Sequence, residues 1–251
     1  MIKQRIVFFI LAVCSAWACH AQEIQLWSAG AAQAPMQALL PEFEKQTGLV
    51  VRVQFAPVGA LMRQLAEGGQ PDVLILSTDV AEQIQRQGWV VGSTTKPLGS
   101  VGVGLAVQQG MPAPDISSPE KLKAALLQAK SITYMDPQKG TSGKHFAWVL
   151  EQLGIADQVK SKTRLGDAGF VLEPVARGEV ELGIQQITEI LPVKGAQLIG
   201  PLPAPLQKTT TYAVSVTPKA AHNPSATRLA EFLKSPQAAA VFKSKGFSVD
   251  F

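Results

Sequence analysis

Between Ile24 and Thr78 the chain switches three times from a short apolar run to a helical pattern, and this alternation restricts its fold more than any other feature. Ile24 to Trp27 reads as a strand; Met36, Leu39, Leu40 and Phe43 then stand at helical spacing, and Gly48 ends the helix. Val51, Val53 and Phe55 alternate as a second strand, followed by a helix opening near Gly59 that carries Leu61, Met62 and Leu65. Val73 to Leu76 is apolar throughout, and Ser77 or Thr78 can cap the helix behind it. Apolar strands each followed by a helix pack as βα units on a mostly parallel sheet covered by helices.

Beyond Pro97 the run Val101 to Val107 carries Gly102 and Gly104 in a strand pattern, as expected of an extended crossover into a second lobe. There Ser118 and Pro119 start a helix and Ile132 to Met135 is a strand. Phe146, Val149, Leu150 and Leu153 form one face of a helix that begins near Lys144 and stops at Gly154. Val180 to Ile184 is a further strand. After Pro201, Pro203 and Pro205, Thr209 to Val216 is the return crossover, and helices begin near Ser225 and at Ser235 and Pro236. The expected fold class is α/β: two lobes, each a mostly parallel sheet flanked by helices, joined by two crossover strands. Lobe one comprises 22–103 plus 212–251, and lobe two 104–211.

Residues 1–21 stand apart. Lys3 and Arg5 precede an apolar run from Ile6 to Ala18, with Cys19 and Ala21 at positions minus three and minus one of a cut before Gln22. This is the pattern of an export signal, and the run is too short to span a bilayer. Periplasmic release is expected, with lipid attachment at Cys19 as the alternative. A cut after Ala21 removes both cysteines, Cys14 and Cys19, so the mature chain has no disulfide to rely on. It also removes two of the 23 basic residues, lowering the net charge from +4 to +2. Basic residues are scattered and not interleaved with aromatics, which argues against a nucleic-acid partner.

The sharpest local signal is the segment Asp136, Pro137, Gln138, Lys139, Gly140, Thr141, Ser142, Gly143, which joins a strand to a helix. Glycines admit a ligand close to the backbone, hydroxyls donate, and the free amides at a helix start carry partial positive charge. Two segments in lobe one repeat the design: Ser28, Ala29, Gly30 after the first strand, and Val58, Gly59, Ala60 after the second. Ser77 and Gln185 also stand at strand ends, where open α/β sheets bind ligands. The candidate binding set is therefore Ser28, Ala29, Gly30, Val58, Gly59, Ala60, Ser77, Thr141, Ser142, Gly143, Lys144 and Gln185. No HExxH or G-x-S-x-G pattern is present, His145 and His222 read as packing or surface residues, and neither catalysis, metal nor cofactor is expected.

These residues carry a resemblance to periplasmic solute-binding proteins of the molybdate-binding type, which serve ABC importers. The matching pieces are Ser28 and Ala29, the helix Leu39 to Thr47, Phe55 with Gly59, Ala60 and Leu61, and Pro71, Asp72 to Ser77. Gly178 to Gly183 and the closing Ser235 to Ala239 with Phe242, Gly246 and Phe247 complete them. The resemblance implies a type II periplasmic-binding fold, a small anion held in an interlobe cleft, hinge closure, a monomer, and an inner-membrane ABC permease as partner. The chain departs from that pattern at Val58 and Gly59, where a serine pair is usual, and at Gln185, where an aliphatic residue is usual. A late tyrosine contact is also missing around Pro203, Ala204 and Pro205. The Gly140 to Gly143 loop is more similar to that of relatives within the wider class, some of which bind other anions, including organic carboxylates, and Lys144 or Arg63 near the cleft could neutralise a carboxylate. Oxyanion and carboxylate ligands both stay open, as does a sensory module signalling to a membrane partner in place of a transport receptor. A hydrolase or isomerase of a small acid would instead show ligand turnover.

Overall fold

The computed structural model describes residues 23–167 and 171–249. The proposed signal segment lies outside them.

The first lobe follows from its strand patterns. β1 (Glu23–Ala29) and β2 (Val50–Ala56) are parallel, with α1 (Gln33–Thr47) as the crossover. Gly48, at φ 70, takes the left-handed turn that ends α1, donating its N–H to the Glu44 carbonyl. α2 (Val58–Ala66) leads to β3 (Val73–Ser77), buried at every position and parallel to β1, and then to α3 (Thr78–Arg86). Ser77 occupies the N-cap position, but its side chain makes no cap hydrogen bond, so the expected cap is absent.

β4 (Lys96–Gln108) is long enough to serve two sheets. The second sheet is built from α4 (Pro119–Gln128), β5 (Ile132–Met135), α5 (Thr141–Gln152), α6 (Ala156–Lys160), β6 (Thr163–Gly166), α7 (Glu173–Ala176), β7 (Leu182–Gln186), α8 (Ile187–Ile190) and β8 (Ala196–Pro201). β9 (Thr209–Val216), α9 (Pro224–Phe232) and α10 (Pro236–Ser244) return the chain to the first lobe. The strand order is β2-β1-β3-β9-β4-β7-β5-β6, with β8 on β4. β1 pairs parallel with β2 and β3, and β5 with β6 and β7, while β4 and β9 pair antiparallel with each other and with β7, β8 and β3. Gly102 still pairs with Thr209 beside β9, whereas Val103 already pairs with Gln186 on β7.

Two of the element boundaries that differ from the sequence reading bear on the site. α5 begins at Thr141 and not near Lys144, with Gly140 as N-cap, so Thr141, Ser142 and Gly143 form its first turn. β7 runs to Gln186, which places Gln185 and Gln186 inside the strand end.

Each lobe has its own apolar core. One gathers Ile24, Leu26, Met36, Phe43, Leu61, Ile75 and Phe242; another gathers Leu105, Leu122, Ile132, Phe146, Val149 and Ile184. Each such side chain contributes about 1.5–3 kcal/mol on burial, which is what holds the sheets and helices in register.

One polar contact ties the bottom of the first sheet. Asp72 is buried, accepts the Gln25 N–H at 2.8 Å through its carboxylate, and lies 3.2 Å from Lys219 Nζ. Asp72→Ala leaves the Gln25 amide unsatisfied, so we expect a loss of about 1–3 kcal/mol. Urea unfolding should show this as a lower midpoint at unchanged slope.

Candidate functional site

The C-terminal ends of β1, β2, β5 and β7 face one another across the gap between the lobes, and the side of β9 carrying Tyr212 closes it. The cavity left there has a volume of about 20 Å³ and is lined by Ala29, Gly30, Ala31, Pro57, Val58, Met135, Gly140, Thr141, Ser142, Glu189 and Tyr212. That is room for one water, so any larger ligand enters only as the lobes part. Wider depressions of about 420 and 650 Å³, by Gly69 with Trp89 and by Met111 with Lys130, share no lining residue with this cavity.

The lobes touch through backbone. The Gly59 N–H, in the first turn of α2, donates to the Lys139 carbonyl of the second lobe at 3.1 Å. A Cβ at Gly59 would stand 2.9 Å from that carbonyl oxygen and 3.1 Å from the Gln138 carbonyl oxygen. Gly143 plays a similar part within the second lobe: a Cβ there would be 2.0 Å from the Met135 carbonyl oxygen. That approach lays the start of α5 against the end of β5. The first-turn amides of α5 have no partner within the helix and form an edge of positive potential.

The polar side chains form one cluster. Gln186 Nε2 donates to Thr141 Oγ1 at 3.3 Å and to Tyr212 OH at 3.4 Å, and Thr141 Oγ1 lies 3.3 Å from Tyr212 OH. Glu189, in α8, is 9% exposed and hydrogen-bonds Gln185. Burial in an apolar setting disfavours its charged form and pushes its pKa up to about 8, so the carboxyl is mostly protonated at neutral pH. Burial, and next the charge of Glu189, drives the Tyr212 phenol well above its ordinary range, leaving it a neutral hydroxyl.

Of the candidate set, the cavity brings together Ala29, Gly30, Val58, Thr141 and Ser142. Gly59 stands at the lobe contact, Gly143 under α5, and Ala60 in the first turn of α2. Ser28 is buried with its hydroxyl 3.2 Å from the Ala29 carbonyl, Ser77 is buried at the head of α3, and Gln185 supports Glu189. Lys144 does not reach the cavity. Because α5 starts earlier than expected, Lys144 falls on its exposed side, and Arg63 is exposed as well. Neither lines the cavity, and among the described residues the lining has no cation. His145 packs, with Nε2 2.7 Å from the Leu206 carbonyl. Tyr212, on the return crossover, lines the cavity. Glu189, Tyr212, Met135 and Pro57 were missed, and the one available signal for Glu189 was an acid set between Ile187 and Ile190 directly behind a strand.

Two α/β lobes joined by crossover strands, with helix starts facing the cavity between them, define the type II periplasmic-binding fold. The chain belongs to the bacterial extracellular solute-binding proteins, whose family model matches residues 24–248. It is 30% identical over 225 residues to an aconitate isomerase of a Pseudomonas species, covering 87% of this chain and 85% of that one. It is 27% identical over 253 residues to the molybdate-binding protein ModA of Azotobacter vinelandii, covering 98% and 97%. The solved periplasmic molybdate-binding protein of Azotobacter vinelandii superposes with a TM-score of 0.76 at 20% identity, covering 91% of this chain and all of that one, a likeness of fold. Among the described residues no helix is long and apolar enough to cross a membrane.

Proposed function

We propose that this protein is a periplasmic receptor that closes its lobes on a small organic di- or tricarboxylate and hands it to an inner-membrane ABC permease. The observation that carries this is the mixed lining of the cleft. Helix-start amides and the hydroxyls of Thr141, Ser142 and Tyr212 suit carboxylate oxygens. Ala29, Ala31, Pro57, Val58 and Met135 suit a hydrocarbon skeleton. The Glu189 carboxyl suits a ligand that shares a proton. A tetrahedral dianion has no carbon to meet the apolar part of the lining. The moving units are the lobes read from the sequence, 22–103 plus 212–251 against 104–211, and the working form is a monomer released once residues 1–21 are cleaved.

Amide and hydroxyl donors suffice for affinity. Hydrogen bonds to a charged group contribute roughly 1.5–3 kcal/mol each, so five exceed the ~8 kcal/mol of micromolar binding before ordering costs. The aconitate isomerase relative supports a tricarboxylate as the ligand. It also favours a second reading, in which the same cleft converts what it binds. None of the three relatives just described is a sensor, and the signalling alternative has no observation behind it.

Thermal unfolding of the mature protein against molybdate, tungstate, sulfate and small mono-, di- and tricarboxylates tests the proposal. A ligand at a hundred times its dissociation constant stabilises by about 2.7 kcal/mol, which raises Tm by roughly 5–10 °C for a chain of this size. That rise is expected with a di- or tricarboxylate. A rise confined to molybdate and tungstate would overturn the carboxylate assignment.

A further inference from the structure

We propose that Glu189 transfers a proton on the bound acid, so that the cleft shifts the double bond of an unsaturated polycarboxylate as well as holding it. The inference depends on the reading above that the cleft takes a small carboxylate.

Glu189 is the one carboxyl side chain among the described residues that line the cavity. It is placed there with care: its Oε1 lies 2.6 Å from where a Cβ on residue 30 would sit, a space only glycine leaves. Among the described residues it makes no ion pair, and Gln185 holds it by a hydrogen bond. For holding an anion alone, a carboxyl is a poor choice. Its ionised form repels the ligand, and a serine or threonine would donate as well. What a carboxyl offers beyond a hydroxyl is an exchangeable proton near neutral pH. Burial raises its basicity, which suits a general base for a weakly acidic C–H bond.

The step balances without a cofactor. Ionised Glu189 takes a proton from a CH2 group lying between a carboxylate and the C=C bond of the ligand. The C–H bond breaks, and its electron pair spreads over the allylic carbons and onto the carboxylate oxygens. Helix-start amides of α5, with the Thr141 and Ser142 hydroxyls, face the oxygens on which that charge gathers. Glu189 then returns the proton to the far allylic carbon, a C–H bond forms there, and the double bond has moved. Rotation about the former double bond during the delocalised stage also interconverts cis and trans forms. Nothing is oxidised or reduced.

The protonation state of Glu189 is set locally. Facing it from β9 is Tyr212, a neutral phenol; Asp79 of α3 acts on that phenol and is not among the causes of the Glu189 shift. β7 presents Gln185 and Gln186, and β8 has no titratable residue. On α5, Lys144 is exposed and His145 bonds the Leu206 carbonyl. The charged groups of α1 and β4 lie elsewhere: Glu42 pairs with Gln46, Glu44 accepts from the Val51 amide, and Lys45 and Lys96 are exposed. Conversion should therefore follow one group, with kcat/KM rising about tenfold per pH unit and levelling near pH 8.

The test is proton NMR in D2O of the mature protein with cis- or trans-propene-1,2,3-tricarboxylate, beside thermal unfolding with the saturated analogue propane-1,2,3-tricarboxylate. The expected result is interconversion with deuterium at the allylic carbons. In Glu189→Gln conversion measured at saturating ligand should fall about 10³-fold, far more than any loss of stabilisation by the saturated analogue. Glu189→Asp, which keeps the carboxyl but withdraws it, should retain part of the activity with the same pH limb. Stabilisation by the analogue with neither conversion nor deuterium uptake would overturn the proton-transfer proposal and leave the receptor intact. Conversion by Glu189→Gln at the wild-type rate would overturn the role of this residue. Absence of both stabilisation and conversion would overturn the carboxylate reading and this one together.

Discussion

Gly59→Val should weaken ligand binding by about 100-fold while leaving both lobes folded. The reason is the backbone contact across the cleft, where a Cβ on residue 59 would stand 2.9 Å from the Lys139 carbonyl oxygen and 3.1 Å from that of Gln138. Those atoms are backbone and cannot rotate away, so a branched side chain holds the lobes apart. The Gly59 to Lys139 hydrogen bond of 3.1 Å is lost with the approach. Folding is spared because Gly59 lies in the first turn of α2, where replacing glycine with a residue that has a β-carbon does not disfavour the helix. Calorimetric titration gives the affinity, and small-angle scattering shows whether ligand still compacts the variant. Wild-type affinity in Gly59→Val would mean that closure at this contact contributes nothing to capture.

Gly143→Ala should cost about 3 kcal/mol of stability, and ligand binding with it. Alanine in place of glycine inside a helix is normally favourable by about 1 kcal/mol. Here the added Cβ would meet the Met135 carbonyl oxygen at 2.0 Å, its carbon at 2.7 Å and the Asp136 carbonyl carbon at 3.0 Å. The first turn of α5 must then lift from β5, and overpacking of that kind outweighs the helix gain. For a chain of this size the loss lowers Tm by roughly 6–12 °C. Thr141 and Ser142 ride on the same turn and leave the cleft when it lifts. Unfolding in urea measures the first effect and titration of the refolded variant the second; an unchanged midpoint would mean the turn relaxes at no cost.

The βα units were legible because apolar runs such as Val73 to Leu76 and the helical face of Met36, Leu39, Leu40 and Phe43 bury continuously, and burial leaves a period in the sequence. β6 and β8 were not. Thr163–Gly166 and Ala196–Pro201 are short and only partly buried, so no run of apolar residues marks them. Glycines and hydroxyls at strand ends mark the loops that meet at the cavity, because backbone geometry favours those residues where strands meet helix starts. The distance over which Gly59 and Gly143 approach other backbone is a tertiary fact with no local trace. α5 starts three residues before the position the sequence pattern indicates, and Lys144 falls on its exposed side. Glu189 reads as an ordinary surface helix residue, since nothing nearby in sequence reveals that Gly30, in another lobe, vacates the space for its carboxyl. Tyr212 was assigned correctly to a crossover strand, but its side chain reaches Thr141 and Gln186 only through the folding of both sheets.

Calorimetric titration of the mature protein with trans-propene-1,2,3-tricarboxylate and, separately, with molybdate tests most directly whether the cleft is a carboxylate site. One-to-one saturable binding of the tricarboxylate at micromolar affinity, with no heat from molybdate, is the expected result; tight binding of molybdate with none of the tricarboxylate would contradict it.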